Sequence, residues 1–373
     1  MEAVPWHGVT DAHLLLALAE GFDESPVAAL LRPDVDPAML LAAPPAPPDI
    51  PPKAAARLRL ADLAERARAV RDRATALGLT TVTRNEPGWP TAIDRLPNAP
   101  LVLFVRGDLA ALRRGPAATF VGSRTPTPYG VDAAQQIGRA LSSCGVTLWS
   151  GLARGIDAIA HEAALRDETP TVAVLAGGLD HVYPTEHAAL ANRIVDQGGC
   201  VLSELPLGRR ARRGHFIRRN RILAAASPAV VVVEGSLTSG ALHTARIAAE
   251  CGADVHCVPG PWLSERSQGC HRLISEGAAI VESVEALLQG LGMATRSTTA
   301  ALRLTRNAEE QAVLRQLTSG PRPTDLIQRE ARVERKQLLR ALFALQQRGA
   351  IDSLPGGLWC ALAVEDSKSP KQL

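Results

Sequence analysis

Seven arginines fall between Arg209 and Arg221 around a single aromatic, Phe216, and no acidic residue occurs from Leu205 to Val233. The run reads Gly208-Arg-Arg-Ala-Arg-Arg-Gly-His-Phe-Ile-Arg-Arg-Asn-Arg221. Guanidinium groups neutralise phosphates and a phenyl ring offers a face for a base, so the composition suits an unpaired polynucleotide. Most arginine runs are solvated basic loops, and the run alone does not separate these readings. Four glycine-rich segments add anion donors: Gly122-Ser123-Arg124, Ser150-Gly151-Leu-Ala-Arg154-Gly-Ile-Asp157, Ala176-Gly177-Gly-Leu-Asp180 and Glu234-Gly-Ser-Leu-Thr-Ser239-Gly240. Glycine permits close backbone approach, and hydroxyls and the free N–H groups of a following helix donate to an anion. The guanidinium forks of Arg124 and Arg154 match phosphate geometry. One such turn is weak, because tight strand-to-helix turns need glycine anyway; several on one rim favour a phosphate-binding surface.

No motif fixes a single nucleotide. Gly122-Ser-Arg lacks the G-x-G-x-x-G spacing of a dinucleotide fingerprint, and the chain has no Walker-type GK[ST]. A mononucleotide needs one pocket, whereas the arginine run extends the basic surface past the rim, which fits a polymer better.

The elements that must position these residues read as a doubly wound α/β domain. Apolar runs at 101–105, 117–121, 146–149, 171–175, 200–202, 229–233, 253–258 and 278–281 predict strands, and the stretches 129–143, 156–167, 185–197, 216–226, 240–251 and 270–276 predict helices. Continuous apolar strands alternating with helices specify a mostly parallel, Rossmann-like sheet covered on both faces. In such a sheet ligands sit beyond the carboxyl ends of the strands, which is where the four glycine turns fall. Residues 1–77 predict an N-terminal helical (SAM/HhH-like) module, with Asp11 capping a first helix, a Pro-rich break at 43–52 and an Ala/Arg-rich helix over 54–77. The α/β domain spans 78–290 and a Ser/Thr linker 291–306. Residues 307–363 predict three helices and a hairpin turning at Pro355-Gly-Gly357, a winged-helix module, with 364–373 as a tail. Such modules read duplex DNA or serve as protein interfaces, and the nearly balanced charge here leaves both readings open.

A length of 373 residues suggests two or three domains, and 46% hydrophobic with 21% charged residues is ordinary for a soluble chain. The net charge of +3 is mild, so anion binding must come from local clustering. The six cysteines form no CxxC pair and no metal spacing with the histidines, and read as buried thiols in a reducing compartment. No signal peptide or membrane span is expected, so the reading is cytoplasmic, with no membrane partner. No metal or cofactor is called for. Asp157 reads as a cap or an arginine partner, with Arg154 the candidate. His161, four residues on, is placed to pair with it, but no nucleophile accompanies them. Ser150, Ser203 and Ser239 lack a paired base. Glu204 and Glu234 end strands and are placed to bond backbone or arginine groups. Tyr183 and Trp149 read as packing.

The motifs Phe120-Val-Gly-Ser-Arg-Thr-Pro-Thr-Pro-Tyr-Gly130, Ser150-Gly-Leu-Ala-Arg-Gly-Ile-Asp-Ala-Ile-Ala-His161, Ala173-Val-Leu-Ala-Gly-Gly-Leu-Asp180, His215-Phe-Ile-Arg-Arg-Asn-Arg221, Ser239-Gly-Ala-Leu-His-Thr-Ala245 and Val258-Pro-Gly260 follow in one order. Over roughly residues 78–285 the chain resembles the bacterial DNA-processing protein A (DprA, or Smf) family. The resemblance implies a Rossmann-like domain, single-stranded DNA binding, dimers and loading of the RecA recombinase during natural transformation, without catalysis. It implies that Gly122, Ser123 and Arg124 hold a phosphate and that Phe216 stacks on a base. Arg219, Asn220 and Arg221 would support that loop and the strand's path, and Ser239 and Gly240 would add backbone contacts. Arg213 stands where the family usually has Lys, which keeps the charge. His271 stands where many relatives have Asn. The alternative class is a nucleotide-processing enzyme of the related phosphoribohydrolase type, whose Pro-Gly-Gly-x-Gly-Thr run this chain lacks.

Overall fold

Short runs of β-branched and aromatic residues, each too brief for a helix and followed by an amphipathic stretch, build a sheet whose connections are helices. A computed structural model of the chain describes Leu14, Ala17, Pro52 and residues 63–84, 86–291, 307–317, 322–347, 350–354 and 358–361. It divides into two units, Met1–Leu287 and Leu288–Leu373. The expected Asp11 cap, the Pro-rich break, the linker beyond 291, the turn at 355–357 and the tail lie outside the described residues.

The first unit runs α1 (Leu63–Ala76), β1 (Thr80–Thr83), β2 (Val102–Gly107), β3 (Ala117–Gly122), α2 (Pro128–Ser143), β4 (Thr147–Ser150), α3 (Ile156–Arg166), β5 (Thr171–Val174), α4 (Ala188–Asp196), β6 (Cys200–Ser203), α5 (Arg213–Ala225), β7 (Ala229–Val233), α6 (Gly240–Glu250), β8 (Asp254–Cys257), α7 (Gln268–Ser275) and β9 (Ala279–Ile280); α8 (Val284–Gly290) follows. The sheet order is β1-β2-β6-β5-β4-β3-β7-β8-β9. From β6 to β9 every pairing is parallel, while β1 pairs with β2, and β2 with β6, antiparallel. A Rossmann-like sheet, mostly parallel, is thus present. The antiparallel β1–β2 ribbon is the part the apolar pattern does not convey, because a continuous apolar run carries no strand direction.

Side chains alternate across the strands as the period of two requires. Phe104, Ala173 and Val201 face one side with Leu165, Ala191 and Ile194 of α3 and α4, and Leu14 and Ala17 join this layer. Leu103, Val105, Val172, Val174, Cys200 and Leu202 face the other, with Ile222 and Leu223 of α5. Chain direction reverses at β3: successive strands β4, β5 and β6 lie on one side of it, and β7, β8 and β9 on the other. In open parallel sheets ligands bind at such a switch point, here between the carboxyl ends of β3 and β7. Gly122 and Val233 are register partners there.

The second unit contains α9 (Ala308–Leu317), β10 (Arg322–Pro323), α10 (Thr324–Ala331), α11 (Arg335–Gln347), β11 (Ile351–Leu354) and β12 (Leu358–Ala361), with an antiparallel sheet ordered β10-β12-β11. Its own core joins Val313, Leu314, Leu317, Ile327, Leu338, Leu342, Leu345 and Ile351.

Candidate nucleic-acid interface

Because β3 to β9 are parallel, the loops after β3, β4, β5, β6, β7 and β8 all emerge on one edge, and the N-termini of α2, α3, α5 and α6 collect there. Gly122 is needed at the switch point, since a side chain would overlap the Val233 carbonyl and Ile156. Ser123 donates its N–H to Val233 O (3.3 Å), while its Oγ accepts from Thr125 N (3.2 Å) and from Arg266 Nη1 (3.3 Å). Arg124 is exposed, and its guanidinium lies 5.2 Å from the centroid of the half-buried Phe216 ring. Tyr183 meets that ring edge-on at 5.6 Å and 68° while remaining 49% exposed. The structure therefore brings Arg124 and Phe216 together, as the sequence reading requires. It removes Tyr183 from the packing role expected of it, and Trp149, 1% exposed, keeps that role.

The arginine run splits into two groups. Helical periodicity puts Arg213, Phe216 and Asn220 on one stripe and turns Arg218 and Arg221 toward the interior. Arg213 is exposed one turn before Phe216, and Arg210 and Arg212 are exposed beside it. Among the described residues none of these three has a recorded ion pair. Gly208, Arg209, Arg210, Arg212 and His215 line a shallow recess. The loop is anchored by Gly208 N donating to both oxygens of Asp180 (3.0 and 2.8 Å), and by Gly178 N donating to Arg209 O (2.7 Å). That backbone covers Gly177, which is buried beneath Arg209 and Ala211.

Two arginines expected at the interface are corrected. Arg221, 6% exposed, donates to Glu204, which also accepts from Arg218 Nε at 2.9 Å. Arg219, 4% exposed, donates Nη1–H to Val174 O at 2.7 Å, and Asp157 is its favourable electrostatic partner. Burial lowers the Arg219 pKa to about 10, yet it stays protonated. Both guanidiniums are thus tied into the interior beneath the edge, Arg221 by its ion pair with Glu204 and Arg219 by the Val174 carbonyl. The acid-free window begins one residue after Glu204, so the sequence interval hid the counter-charge. Gly151 is buried against the same guanidinium, which a methyl group there would overlap, and it too is part of the support.

Asp157 accepts from Gly151 N (3.1 Å) and Ala153 N (3.3 Å), and burial raises its pKa against the Arg219 charge. The expected Arg154–Asp157 pairing is replaced: exposed Arg154 pairs with exposed Glu186 at 2.5 Å. Such a pair is weak, so Arg154 is easily released to an anion. His161 pairs with Thr171 Oγ1 at 2.8 Å in place of Asp157. The Thr171 hydroxyl hydrogen goes to Leu148 O at 2.6 Å, so His161 Nδ1 donates, and Nε2 has no partner among the described residues. Burial pushes the imidazole pKa down to about 3. Glu234 accepts from the N–H and hydroxyl of Thr127, and so holds the start of α2. Asn220 Nδ2 donates to Gly240 O (3.4 Å), tying α5 to α6, and the Ser239 Oγ at the N-cap of α6 is buried with no partner among the described residues. His271 Nε2 donates to Gly260 O at 3.0 Å, a structural role in the 258–267 loop. Arg266, which donates to Thr125 Oγ1 at 2.6 Å as well as to Ser123, was invisible in sequence because nothing in its spacing marks it as a neighbour of β3.

Among the described residues no helix is long and apolar enough to cross a membrane, and no group of three or more His, Cys, Asp or Glu is placed to hold a metal ion. Comparison with known proteins places this geometry in a family. Residues 80–292 match the model of the DNA recombination-mediator protein A family. Protein Smf of Escherichia coli K12 is 36% identical over 277 residues, covering 72% of this chain and 74% of its own. The crystal structure of DNA processing protein A from Streptococcus pneumoniae superposes with a TM-score of 0.58 at 31% identity, over 76% of this chain and 93% of that one. DNA processing protein A from Helicobacter pylori, solved for its single-stranded DNA binding mode, gives 0.52 at 29% identity over 57% of this chain and 95% of its own. This chain belongs to the DNA recombination-mediator protein A family.

Proposed function

We propose that the chain binds single-stranded DNA along the carboxyl edge of its sheet and delivers it to the RecA recombinase, with no chemistry of its own. The observation that carries this reading is the exposed Arg124 guanidinium over the Phe216 ring, 5.2 Å away, beside exposed Arg210, Arg212 and Arg213. A cation next to a stacking face serves one phosphate and one base at once. Gly122, Ser123, Asn220, Ser239 and Gly240 shape that edge, and Arg154 adds a releasable charge. The single-stranded DNA binding mode of the Helicobacter pylori relative supports the same ligand class.

The non-catalytic reading is supported by the fate of the candidate nucleophiles. Ser150 donates to Phe120 O at 2.8 Å and Ser203 to Leu175 O at 3.4 Å, both buried, and His161 faces neither. Incubation with AMP is expected to release no adenine. Self-association into dimers is part of the proposal, as is a winged-helix reading of the second unit. There, exposed Leu339 and Phe343 on α11 favour a protein contact over a duplex.

The test is the Arg124→Ala, Phe216→Ala double variant with fluorescent poly-dT. Loss of one stacked base, worth ~1–3 kcal/mol, should weaken binding about tenfold or more, and the lost phosphate contact should flatten the salt slope by ~0.7. Wild-type affinity in the double variant would refute the proposal. Delivery is read by adding RecA and protein-coated single strand and timing filament growth, which the chain should accelerate.

A further inference from the structure

Among residues 63–287, Trp89, Phe104, Phe120 and Trp149 are core, while Tyr129, Tyr183, Phe216 and Trp262 are not. All four outer rings lie beyond carboxyl strand ends: Tyr129 after β3, Tyr183 after β5, Phe216 after β6 and Trp262 after β8. Trp262 is the most exposed of them, at 78%, with Leu263 beside it at 77%.

An indole this exposed would ordinarily sit on a loose loop, but the 258–267 loop is pinned at both ends. Tyr129 Oη donates to Pro259 O (2.6 Å) and His271 Nε2 to Gly260 O (3.0 Å). Gly235 N donates to Arg266 O (2.6 Å), and the Arg266 side chain reaches Thr125 and Ser123 in the phosphate turn. Two successive turns, Ser264 N to Pro261 O (2.9 Å) and Ser267 N to Ser264 O (3.0 Å), stiffen the span between. Trp262 is thus presented on a braced loop that is bonded directly to Ser123.

We infer that Trp262 is a second base-stacking platform, at the β8 end of the same edge, so that one unpaired strand runs from Tyr183 and Phe216 past Arg124 and Ser123 to the indole. The inference rests on the reading of this edge as a single-stranded DNA interface. From β5 to β8 there are four strand intervals, about 19 Å at ~4.8 Å each. A stacked strand advances ~3.4 Å per nucleotide, so the path holds roughly six. The N-termini of α2, α3, α5 and α6 collect along it, and their partial positive charge favours phosphates lying between the stacked bases. A protein partner or a second copy has no such use for helix N-termini, which is why a base is the assigned occupant. Glu265 is exposed next to Arg266, so the platform gains its grip from the ring and not from charge.

The experiment compares oligo-dT of about 4 and about 12 nucleotides, by fluorescence anisotropy, on the full chain carrying Trp262→Ala, Trp262→Phe or Leu77→Ala. Leu77, 54% exposed at the end of α1, is the control away from the edge. The gain in affinity from the short to the long strand should shrink about tenfold in W262A, equivalent to ~1.4 kcal/mol, and W262F should restore most of it. L77A should keep the wild-type gain. An undiminished gain in W262A overturns the inference, and so does a W262A change confined to sedimentation, which would make the loop a contact between copies. Failure of the underlying reading looks different: wild type would bind neither strand, or the Arg124/Phe216 double variant would bind as wild type does.

Discussion

Removing Arg219 and removing Arg124 should produce opposite phenotypes, although the sequence reading assigned both to one DNA-binding surface. Arg219→Ala leaves Asp157 with the N–H groups of Gly151 and Ala153 and the charge of Arg124, and strips the charged donor from Val174 O. Leaving a buried acceptor without its charged donor costs roughly 1–3 kcal/mol. For a unit of this size each kcal/mol lowers the melting temperature by ~2–4 °C, so R219A should melt roughly 2–12 °C below wild type. Arg124 is exposed beside the Phe216 ring, and R124A should stay within ~0.5 kcal/mol of wild type. Binding should show the reverse order. At temperatures where both variants are folded, R124A should flatten the plot of log affinity against log salt by ~0.7, and R219A should leave that slope alone. Circular dichroism melts paired with salt titrations of oligo-dT binding measure both quantities. If R219A melted with wild type while losing the salt slope, the burial-based division of the arginine run would be wrong.

Gly151→Ala should act through the same guanidinium, because the added methyl overlaps Arg219 and forces it off Val174 O; overpacking of this kind costs ~1–3 kcal/mol, read as a lower melting temperature. His161 should make the fold acid-sensitive. Its folded pKa, about 3, lies below the unfolded 6.5, so between those values the unfolded chain binds the extra proton and stability falls as pH falls, by ~1.4 kcal/mol per pH unit at most. Asp157, raised by burial, works in the opposite sense: the folded state takes up its proton first, which adds stability as pH falls toward 3.8. Subtracting the His161→Phe variant from wild type cancels Asp157. The difference in unfolding free energy from urea melts should grow steadily from pH 6.5 downward, and a flat difference would refute the buried neutral imidazole.

The strands and helices of the parallel region were legible in sequence because each is a locally written pattern. Apolar runs such as Ala229–Val233 have no exposed face to contradict them, and the helix starts fall on glycine turns such as Ser239-Gly240. Part of the candidate site was legible for the same reason: Gly122-Ser-Arg124 and Phe216 stand in short segments of suggestive residue types, and the fold brings Arg124 beside the Phe216 ring. Tyr183 was not legible, since a tyrosine beside proline is as compatible with packing as with exposure. Arg266 and Trp262 belong to a loop after β8, and only the crossing of the chain to the far side of β3 brings that loop back to Ser123.

The sequence by itself determined the sheet's class, the edge on which the candidate site lies and the presence there of cations with an aromatic ring. What tertiary structure alone decided is which cations are available. Arg213 and Arg219 are the same residue type six positions apart, yet one meets solvent and the other is buried on the Val174 carbonyl. Charge on a side chain is fixed by its chemistry, but whether that charge reaches a ligand depends on burial and on counter-charges from distant segments, and those exist only once the sheet has closed around them.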